Sequence, residues 1–256
     1  MCNKTFSQIG LDRSLPHIGV IMEKYDTESY PKFDLPDGYF FAKYKQGYEQ
    51  QWAKLQYEVG ETDSLEEAEL AFKCEFLDGT GMDWINKENN HPNPYNSDPY
   101  NSGPCNIESS SFFTQMCERM LFIVDDRDNV IGTGCVWGGK MFGKELQRLH
   151  WIAVSPKHQG KGIAKALVSK LFDLYNELGY SGYIYLTSQT WSYKALNIYI
   201  KFGFKPYLGE KPQNWNSVNL TSGNFEPWDY KEKNIEAWDM IYGKINSYHN
   251  NSIHQS

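Results

Sequence analysis

The clearest pattern along the chain is a strand, a glycine turn and an amphipathic helix between Leu149 and Gly179. Bulky and small apolar residues alternate from Leu149 and end at Pro156, which predicts a buried strand. A glycine-containing turn follows, and apolar residues then recur at helical spacing up to Leu178. We predict that Gly179 ends this helix, because glycine readily adopts the left-handed conformation found just beyond helix C-termini.

The other apolar patterns predict a mixed α/β (α+β) fold, with a largely antiparallel twisted central sheet flanked by helices. Ser64, with Glu67 three residues later, forms a capping box that marks a helix start. Strands are predicted at residues 39–44, 120–124, 130–137, 147–154 and 183–188. Helices are predicted at residues 47–57, 64–76, 195–200 and 233–245.

The order of these elements predicts one domain over residues 1–256, with a core at about 39–208 and a C-terminal extension at about 209–256. Residues 78–110 lack periodicity and are rich in Gly, Pro, Asn and Tyr, so we predict an insertion loop. This loop is interpreted as a lid over a ligand, a mobile surface loop, or a strap against the sheet. In a lid over the acceptor, Trp84, Tyr95 and Tyr100 are the residues that would cover it. The tail from Asn246 is predicted to be disordered.

Composition limits the class of protein. The five cysteines are scattered without a CxxC pair, which predicts free thiols and no metal site. The N-terminus has no signal-peptide pattern, and no apolar run approaches the ~20 residues that cross a bilayer, so we expect a cytoplasmic protein with no membrane association. The net charge of −7 and the lack of a basic stripe argue against nucleic acid as a partner.

The turn after the central strand is a candidate phosphate site. Residues 157–165 hold three lysines and no acid, in a chain that is acidic as a whole. A strand, a tight glycine turn and a helix start leave main-chain N–H groups pointing at one spot, where the helix dipole also favours an anion. Neither GxxxxGK[ST] nor GxGxxG is present at this turn, so a P-loop or a dinucleotide fingerprint is not predicted.

Gln159, Gly162 and Ala164 fit the pattern Q/R-x-x-G-x-G/A, and the stretch from Tyr199 to Phe204 fits Y-x-x-x-G-F. With these two motifs the chain resembles the GNAT superfamily of acetyl-CoA-dependent N-acetyltransferases. The resemblance implies a GNAT-like fold and acetyl-CoA (coenzyme A) as co-substrate, with its pyrophosphate on the main chain of the turn. Ser192 stands where the family often has Asn. The residues implied to contact the cofactor are Ile152, Ala153, Val154, Gln159, Gly160, Lys161, Gly162, Ile163, Ala164 and Ser192.

Two side chains are candidates for acid–base chemistry. The resemblance places the Tyr199 hydroxyl beside the cofactor sulfur, where a phenol with an ordinary pKa of ~10 can protonate the leaving thiolate. His150 matches a histidine that arylalkylamine acetyltransferases use as a base, with Glu145 or Asp83 as substitutes. Strand alternation predicts that His150, Ile152 and Val154 share one face. The alternatives are a core tyrosine and a structural histidine.

These features predict an N-acetyltransferase that moves the acetyl group to a primary amine by direct attack in a ternary complex. The alternative is a non-catalytic acetyl-CoA-binding module. The acceptor is expected to be a small-molecule or peptide amine, and a homodimer is left open. The acidic charge and a group of aromatic residues fit a cationic or aromatic amine. Residue by residue, an ordinary aromatic core is the safer interpretation. These residues are Trp137, Trp151, Tyr183, Tyr185, Trp191 and Tyr193.

Overall fold

The computed structural model describes residues 11–77, 111–213 and 229–253 of the chain. The strands are β1 (Gly19–Lys24), β2 (Tyr39–Lys43), β3 (Met120–Asp125), β4 (Val130–Met141), β5 (Lys144–Val154), β6 (Ile184–Gln189) and β7 (Lys205–Pro206). The helices are α1 (Tyr48–Val59), α2 (Leu65–Phe72), α3 (Ser111–Arg119), α4 (Ile163–Glu177), α5 (Tyr193–Lys201) and α6 (Asp229–Ile253). A π-helical turn (Lys73–Leu77) continues α2.

The strands form a seven-stranded sheet in the order β2-β3-β4-β5-β6-β1-β7. All neighbouring strands pair antiparallel except β5 and β6, which are parallel. The helix α4 makes the crossover that a parallel pair requires. The predicted fold class, a largely antiparallel central sheet flanked by helices, is confirmed.

Separate hydrophobic cores lie on the two faces of the sheet. On one face α4, α5 and α6 pack over the strands, with Leu167, Leu171 and Trp238 fully or almost fully buried. On the other face α1, α2 and the π-helical turn pack over β3 and β4 through aromatic residues such as Trp52 and Phe76. Both faces of the central strands are therefore covered, which explains the nearly continuous apolar runs of β3 and β4.

Several local predictions are confirmed by hydrogen bonds and backbone angles. The Ser64 hydroxyl accepts from the N–H of Glu67 at 3.1 Å, as the capping box requires. The Asp125 carboxylate accepts from the N–H groups of Arg127 and Asn129 and so closes the β3–β4 hairpin turn. Gly179 has a φ of 80° directly after the end of α4.

The structure also contains elements that the sequence patterns did not predict. The strand β1 lies between β6 and β7, and the residues Val20, Ile21 and Met22 are fully buried. Such a buried strand has no apolar–polar alternation by which it could be recognised. The last helix extends beyond its predicted bounds at both ends. The prediction of disorder from Asn246 is therefore wrong as far as Ile253, because the helix that buries Trp238 continues to that residue. No helix in the described ranges has the length and apolar content that spanning a membrane demands.

Candidate active site

The parallel strands β5 and β6 diverge toward their C-terminal ends. Their recorded pairing joins Arg148 to Tyr185. Beyond this point β5 stays paired with β4 as far as Val154, whereas β6 stays paired with β1 as far as Gln189. Beyond Arg148 and Tyr185, β5 is therefore paired with β4, β6 is paired with β1, and no pairing is recorded between β5 and β6. The result is a gap in the sheet whose edges offer main-chain groups to a ligand, as an exposed sheet edge does.

A bulge in β5 lies beside this gap. Cys135 pairs with His150 and Thr133 pairs with Ala153, so β5 contains one more residue than β4 over the same stretch. Trp151, inside the bulge, has a φ of 49°, in the left-handed region that non-glycine residues seldom adopt. Bulges of this kind redirect side chains and are frequent next to active sites.

The bulge changes the face of the sheet on which the following side chains of β5 lie. Ile152 and Val154 pack in the core under α4, whereas His150 contacts Glu75 on the face covered by α1 and α2. Trp151 lies on that second face as well. The prediction that His150, Ile152 and Val154 share a face is therefore wrong for His150, because strict alternation fails where a residue is inserted.

The turn between β5 and α4 depends on glycine at two positions. Gly160 and Gly162 have φ angles of 79° and 84°, which glycine adopts without steric cost. A Cβ atom at either position would meet nothing within 4 Å, so packing does not explain the glycines. Gly162 is the N-cap of α4 and no side chain caps the helix. The space in front of the helix start is open.

Several N–H groups at the start of α4 have no recorded acceptor among the described residues. Lys165 and Ala166 both donate to the carbonyl oxygen of Gly162, at 2.9 and 3.2 Å. Within the described residues, no acceptor is recorded for the N–H groups of Gly162, Ile163 and Ala164. Unpaired N–H groups and the positive end of the helix dipole form a site for phosphate oxygens. The turn therefore fits a phosphate group.

The recorded hydrogen bonds of the Gln159 and Lys161 side chains are to other protein atoms and help to hold the turn in place. The Gln159 amide donates to the carbonyl oxygen of Val154 at 2.9 Å and ties the turn to the end of β5. The Lys161 ammonium donates to the Tyr39 hydroxyl at 2.8 Å, and that hydroxyl lies 3.0 Å from Nδ1 of His158. Lys161 thus lies at the rim of the turn. It borders an open groove of about 590 Å³ lined by Pro36, Asp37, Gly38, Tyr39, Asp125, Asp126, Arg127, His158 and Lys161.

Tyr199 lies on α5, which follows β6 after a single 3₁₀ turn. Its side chain is buried in the core under α4, and burial raises its pKa above the ordinary value. The phenol is therefore protonated at neutral pH and can act as a proton donor. Ser192 is the N-cap of α5 and is also buried, but its side chain makes no capping hydrogen bond.

Glu61 is a residue near Tyr199 that the sequence analysis did not single out. It follows α1 and its side chain is exposed. Its carboxylate accepts a hydrogen bond from Gln189, and its charge raises the pKa of Tyr199. No motif surrounds Glu61 in the sequence, so only the fold brings it close to Tyr199.

His150 belongs to a buried cluster with Glu75 and Arg148. One oxygen of Glu75, Oε1, accepts from Nη2 of Arg148 at 2.7 Å and lies 3.0 Å from Nε2 of His150. The exposed fraction of the side chain is 3% for Glu75, 19% for Arg148 and 13% for His150. Glu75 was not predicted, because it lies 75 residues away from His150 in the sequence.

The electrostatics of this cluster fix its charge states at neutral pH. Burial and the neighbouring Arg148 guanidinium lower the pKa of His150 to about 4, so its imidazole is neutral. Burial alone would raise the pKa of Glu75, but its two partners hold it below the usual range. Since His150 is neutral, Arg148 is the partner that keeps the Glu75 carboxylate ionised.

The predicted substitute bases lie elsewhere. Glu145 is near the β4–β5 turn, with a side chain 67% exposed and 3.8 Å from the ammonium of Lys140. Asp83 and the predicted lid at 78–110, including Trp84, Tyr95 and Tyr100, lie outside the described residues.

The predicted aromatic group divides between different parts of the molecule. Trp151 packs on Trp52 with ring centroids 4.9 Å apart, in the core under α1 and α2 that also contains Trp137. Tyr185 lies in a separate small cluster, and Trp191 packs on the N-terminal segment. The six aromatic residues therefore do not form one continuous surface.

Part of the chain matches a known protein family. Residues 118–206 match the family model described as an acetyltransferase (GNAT) domain. No curated protein gave a significant match.

Solved structures that match this chain in part include a GCN5-related N-acetyltransferase from Sphaerobacter thermophilus, with 17% identity, a TM-score of 0.48, and coverage of 75% of this chain and 49% of that one. A tandem GNAT protein from the clavulanic acid biosynthesis pathway shares 13% identity, with a TM-score of 0.43 and coverage of 77% and 52%. Glucosamine-6-phosphate N-acetyltransferase from Arabidopsis thaliana shares 15% identity, with a TM-score of 0.30 and coverage of 55% and 76%. The chain thus spans about half the length of the first of these structures.

The matched region runs from the end of α3 to β7. It contains the diverging strands, the glycine turn at the start of α4, and Tyr199 on α5. Residues 118–206 of this chain are therefore similar to the acetyltransferase domain of the GNAT family.

Proposed function

We propose that the protein is an acetyl-CoA-dependent N-acetyltransferase, which transfers the acetyl group to a primary amine by direct attack in a ternary complex. One observation carries the proposal: among the described residues no acceptor is recorded for the N–H groups of Gly162, Ile163 and Ala164 at the start of α4, and a Cβ at Gly160 or Gly162 would meet nothing within 4 Å. Such N–H groups at a helix start suit an anion such as a diphosphate.

The main chain of residues 160–164 would hold the diphosphate of acetyl-CoA, which supplies an acetyl group activated as a thioester. Ile152, Ala153 and Val154 on the edge of β5 would lie along the arm. Gln159 contributes indirectly by tying the turn to Val154. Ser192 is buried at the start of α5, where its hydroxyl could bond the cofactor.

Tyr199 and His150 have complementary protonation states for this reaction. The raised pKa of Tyr199 keeps its proton on the phenol, from which it passes to the departing thiolate. The neutral imidazole of His150 has a lone pair that can accept a proton from the amine nitrogen. Tyr199 regains its proton from solvent, and His150 releases one to solvent. An amine that enters as an ammonium ion loses two protons, so each turnover releases one net proton.

A thiol-release assay tests this proposal directly. The full chain is incubated with acetyl-CoA and a panel of primary amines that includes small alkylamines, arylalkylamines, aminoglycosides and peptides with free N-termini. We expect amine-dependent release of free coenzyme A thiol and an acetylated amine detectable by mass spectrometry.

One observation favours the alternative of a non-catalytic acetyl-CoA-binding module. A histidine with a pKa of about 4 is a weak base at neutral pH. Measurable acetyl-CoA binding by calorimetry, together with no thiol release for any amine, would establish the module and reject the enzyme. Cytoplasmic localisation and a homodimer stay predictions from the sequence.

A further inference from the structure

We propose that Glu75 is a positioning residue for His150: by accepting a hydrogen bond from Nε2 it leaves Nδ1 as the atom that takes the proton of the acceptor amine. This inference rests on the proposed N-acetyltransferase function. It identifies a residue that helps to remove the proton of the acceptor amine. Glu75 lies outside the residues that match the acetyltransferase family model.

The first step of the argument is the charge of Glu75. Its carboxylate is almost fully buried and receives the Arg148 guanidinium on Oε1 at 2.7 Å. A buried carboxylate is costly unless it is paired, and this short contact with a permanent cation supplies the pairing. Glu75 is therefore ionised and can only accept hydrogen bonds.

The second step is the tautomer of His150. Its Nε2 atom lies 3.0 Å from the same oxygen of Glu75, within hydrogen-bond range. A neutral imidazole carries one N–H, and an acceptor-only partner requires that proton to be on Nε2. The lone pair is then on Nδ1. The carboxylate thus fixes which ring nitrogen can act as a base.

The third step is the access to Nδ1. Within the described residues, no hydrogen bond is recorded for this atom, and 13% of the His150 side chain is exposed. The described residues thus leave Nδ1 without a partner, as a base that receives a proton from a substrate requires. The neighbouring Trp151 packs edge-on against Trp52, with ring centroids 4.9 Å apart.

The fourth step is how the fold holds Glu75. Glu75 lies on the π-helical turn that extends α2, and such turns are rare and frequently found at functional sites. The next residue, Phe76, is fully buried and packs on Trp52 and Trp137, with ring centroids 5.7 and 4.9 Å apart. This aromatic packing restrains the turn and therefore the position of the carboxylate.

The proton step uses this arrangement directly. As the amine nitrogen bonds to the acetyl carbon, one of its N–H bonds breaks and the electron pair stays on nitrogen. The proton forms a new bond to Nδ1, so His150 becomes an imidazolium ion. The second carboxylate oxygen, Oε2 of Glu75, is buried with no recorded partner among the described residues, so much of its charge is available to stabilise the imidazolium. His150 later returns the proton to solvent.

The tautomer is measured in the unaltered full chain without acetyl-CoA or amine. The protein is labelled with ¹⁵N-histidine, and the ring nitrogens are observed by long-range ¹H–¹⁵N correlation at neutral pH, with the His150→Gln variant providing the assignment. We expect His150 to carry its proton on Nε2. A proton on Nδ1, or on both nitrogens, overturns the inference whatever the activity of the protein.

The kinetic part compares Glu75→Gln with Glu177→Gln, which removes an exposed carboxylate at the C-terminal end of α4. We expect Glu75→Gln to lower kcat by roughly 10²-fold while the KM for acetyl-CoA stays unchanged, because a neutral amide cannot stabilise the imidazolium. Glu177→Gln should behave as the unaltered protein. Unchanged kcat in a folded Glu75→Gln protein overturns the inference and leaves the proposed function standing. Absence of turnover in the unaltered protein instead rejects the proposed function.

Discussion

The glycine turn at the start of α4 and the Glu75 cluster are two candidate binding regions built in opposite ways. The turn uses main-chain N–H groups from consecutive residues, and its glycines leave it open to solvent. The cluster uses an ion pair and a neutral imidazole from residues that are 73 and 75 positions apart in the sequence and mostly buried. One region depends on backbone conformation, and the other depends on the pairing of buried charges.

This difference determines how each region fails. Where the turn needs a left-handed backbone conformation, replacing glycine by another residue lowers stability by about 1–2 kcal/mol. A buried charge cluster fails when one member is removed, because the remaining charge has neither water nor a partner. Substitutions in the cluster should therefore affect folding, whereas substitutions in the turn should mainly affect ligand binding.

The largest expected effect is on stability, in Arg148→Met. This change removes the cation that pairs with the buried Glu75 carboxylate, which must then stay charged without an ion pair or take up a proton. We expect the free energy of unfolding to fall by about 3–5 kcal/mol. Lys140→Met, which breaks the exposed pair with Glu145 on the same hairpin, should change it by no more than ~0.5 kcal/mol. Urea titration followed by circular dichroism measures both values. Equal losses in the two variants would contradict the contrast between a buried and an exposed pair.

Tyr199→Phe should slow the transfer of the acetyl group without weakening the binding of acetyl-CoA. Loss of the phenolic proton donor is expected to lower kcat by at least ~10²-fold, because the thiolate would then leave unprotonated. The affinity for acetyl-CoA, measured by calorimetry, should be nearly unchanged, because the turn that binds the diphosphate is left intact. A variant with full turnover would show that Tyr199 is a core residue without a catalytic role.

The free energy of unfolding should depend on pH because the buried histidines, His150 and His17, have lowered pKa values. The pKa of His150 is lowered to about 4 in the folded protein, against an ordinary value of ~6.5, so the unfolded chain binds more protons between these values. Stability is therefore greatest above pH ~6.5 and falls as the pH drops toward about 4. His17, whose pKa burial also lowers to about 4, acts in the same window.

Between pH ~7.5 and ~5 each of these histidines should contribute a loss of about 2 kcal/mol in the free energy of unfolding. Urea titrations at both pH values measure the total. The His150→Gln variant keeps a donor for Glu75 and should show about half of the loss. An identical loss in the variant would mean that His150 does not titrate in the way its burial requires.

The smallest effect compares two glycines at opposite ends of α4. Gly162 and Gly179 have φ angles of 84° and 80°, and a Cβ at either meets nothing within 4 Å. Alanine should therefore lower stability at both positions by about 1 kcal/mol. Only Gly162→Ala should also weaken acetyl-CoA binding, by about tenfold, because its Cβ projects into the space proposed for the diphosphate. Equal affinities in the two variants would place the diphosphate elsewhere.

Much of the fold could be predicted from local patterns. The capping box at Ser64, the turn at Asp125 and the stop at Gly179 are each formed by residues within a few positions of one another, and the structure confirms them. The strand β1 could not be predicted in this way, because a short strand buried on both faces has no periodicity. The bulge at Trp151 was also hidden, since it arises from the pairing of β5 with β4 and not from the residue itself.

The sequence alone determined the part of the candidate site that is made by neighbouring residues: the glycine turn, the N-terminus of α4 and the motif around Tyr199. Their conformations follow from steric limits on φ and from helix hydrogen bonding, which act over a few residues. Tertiary structure alone decided that His150 faces away from Val154 and that Glu75 is its partner. Contacts between distant side chains depend on strand register and helix packing, which local composition does not specify.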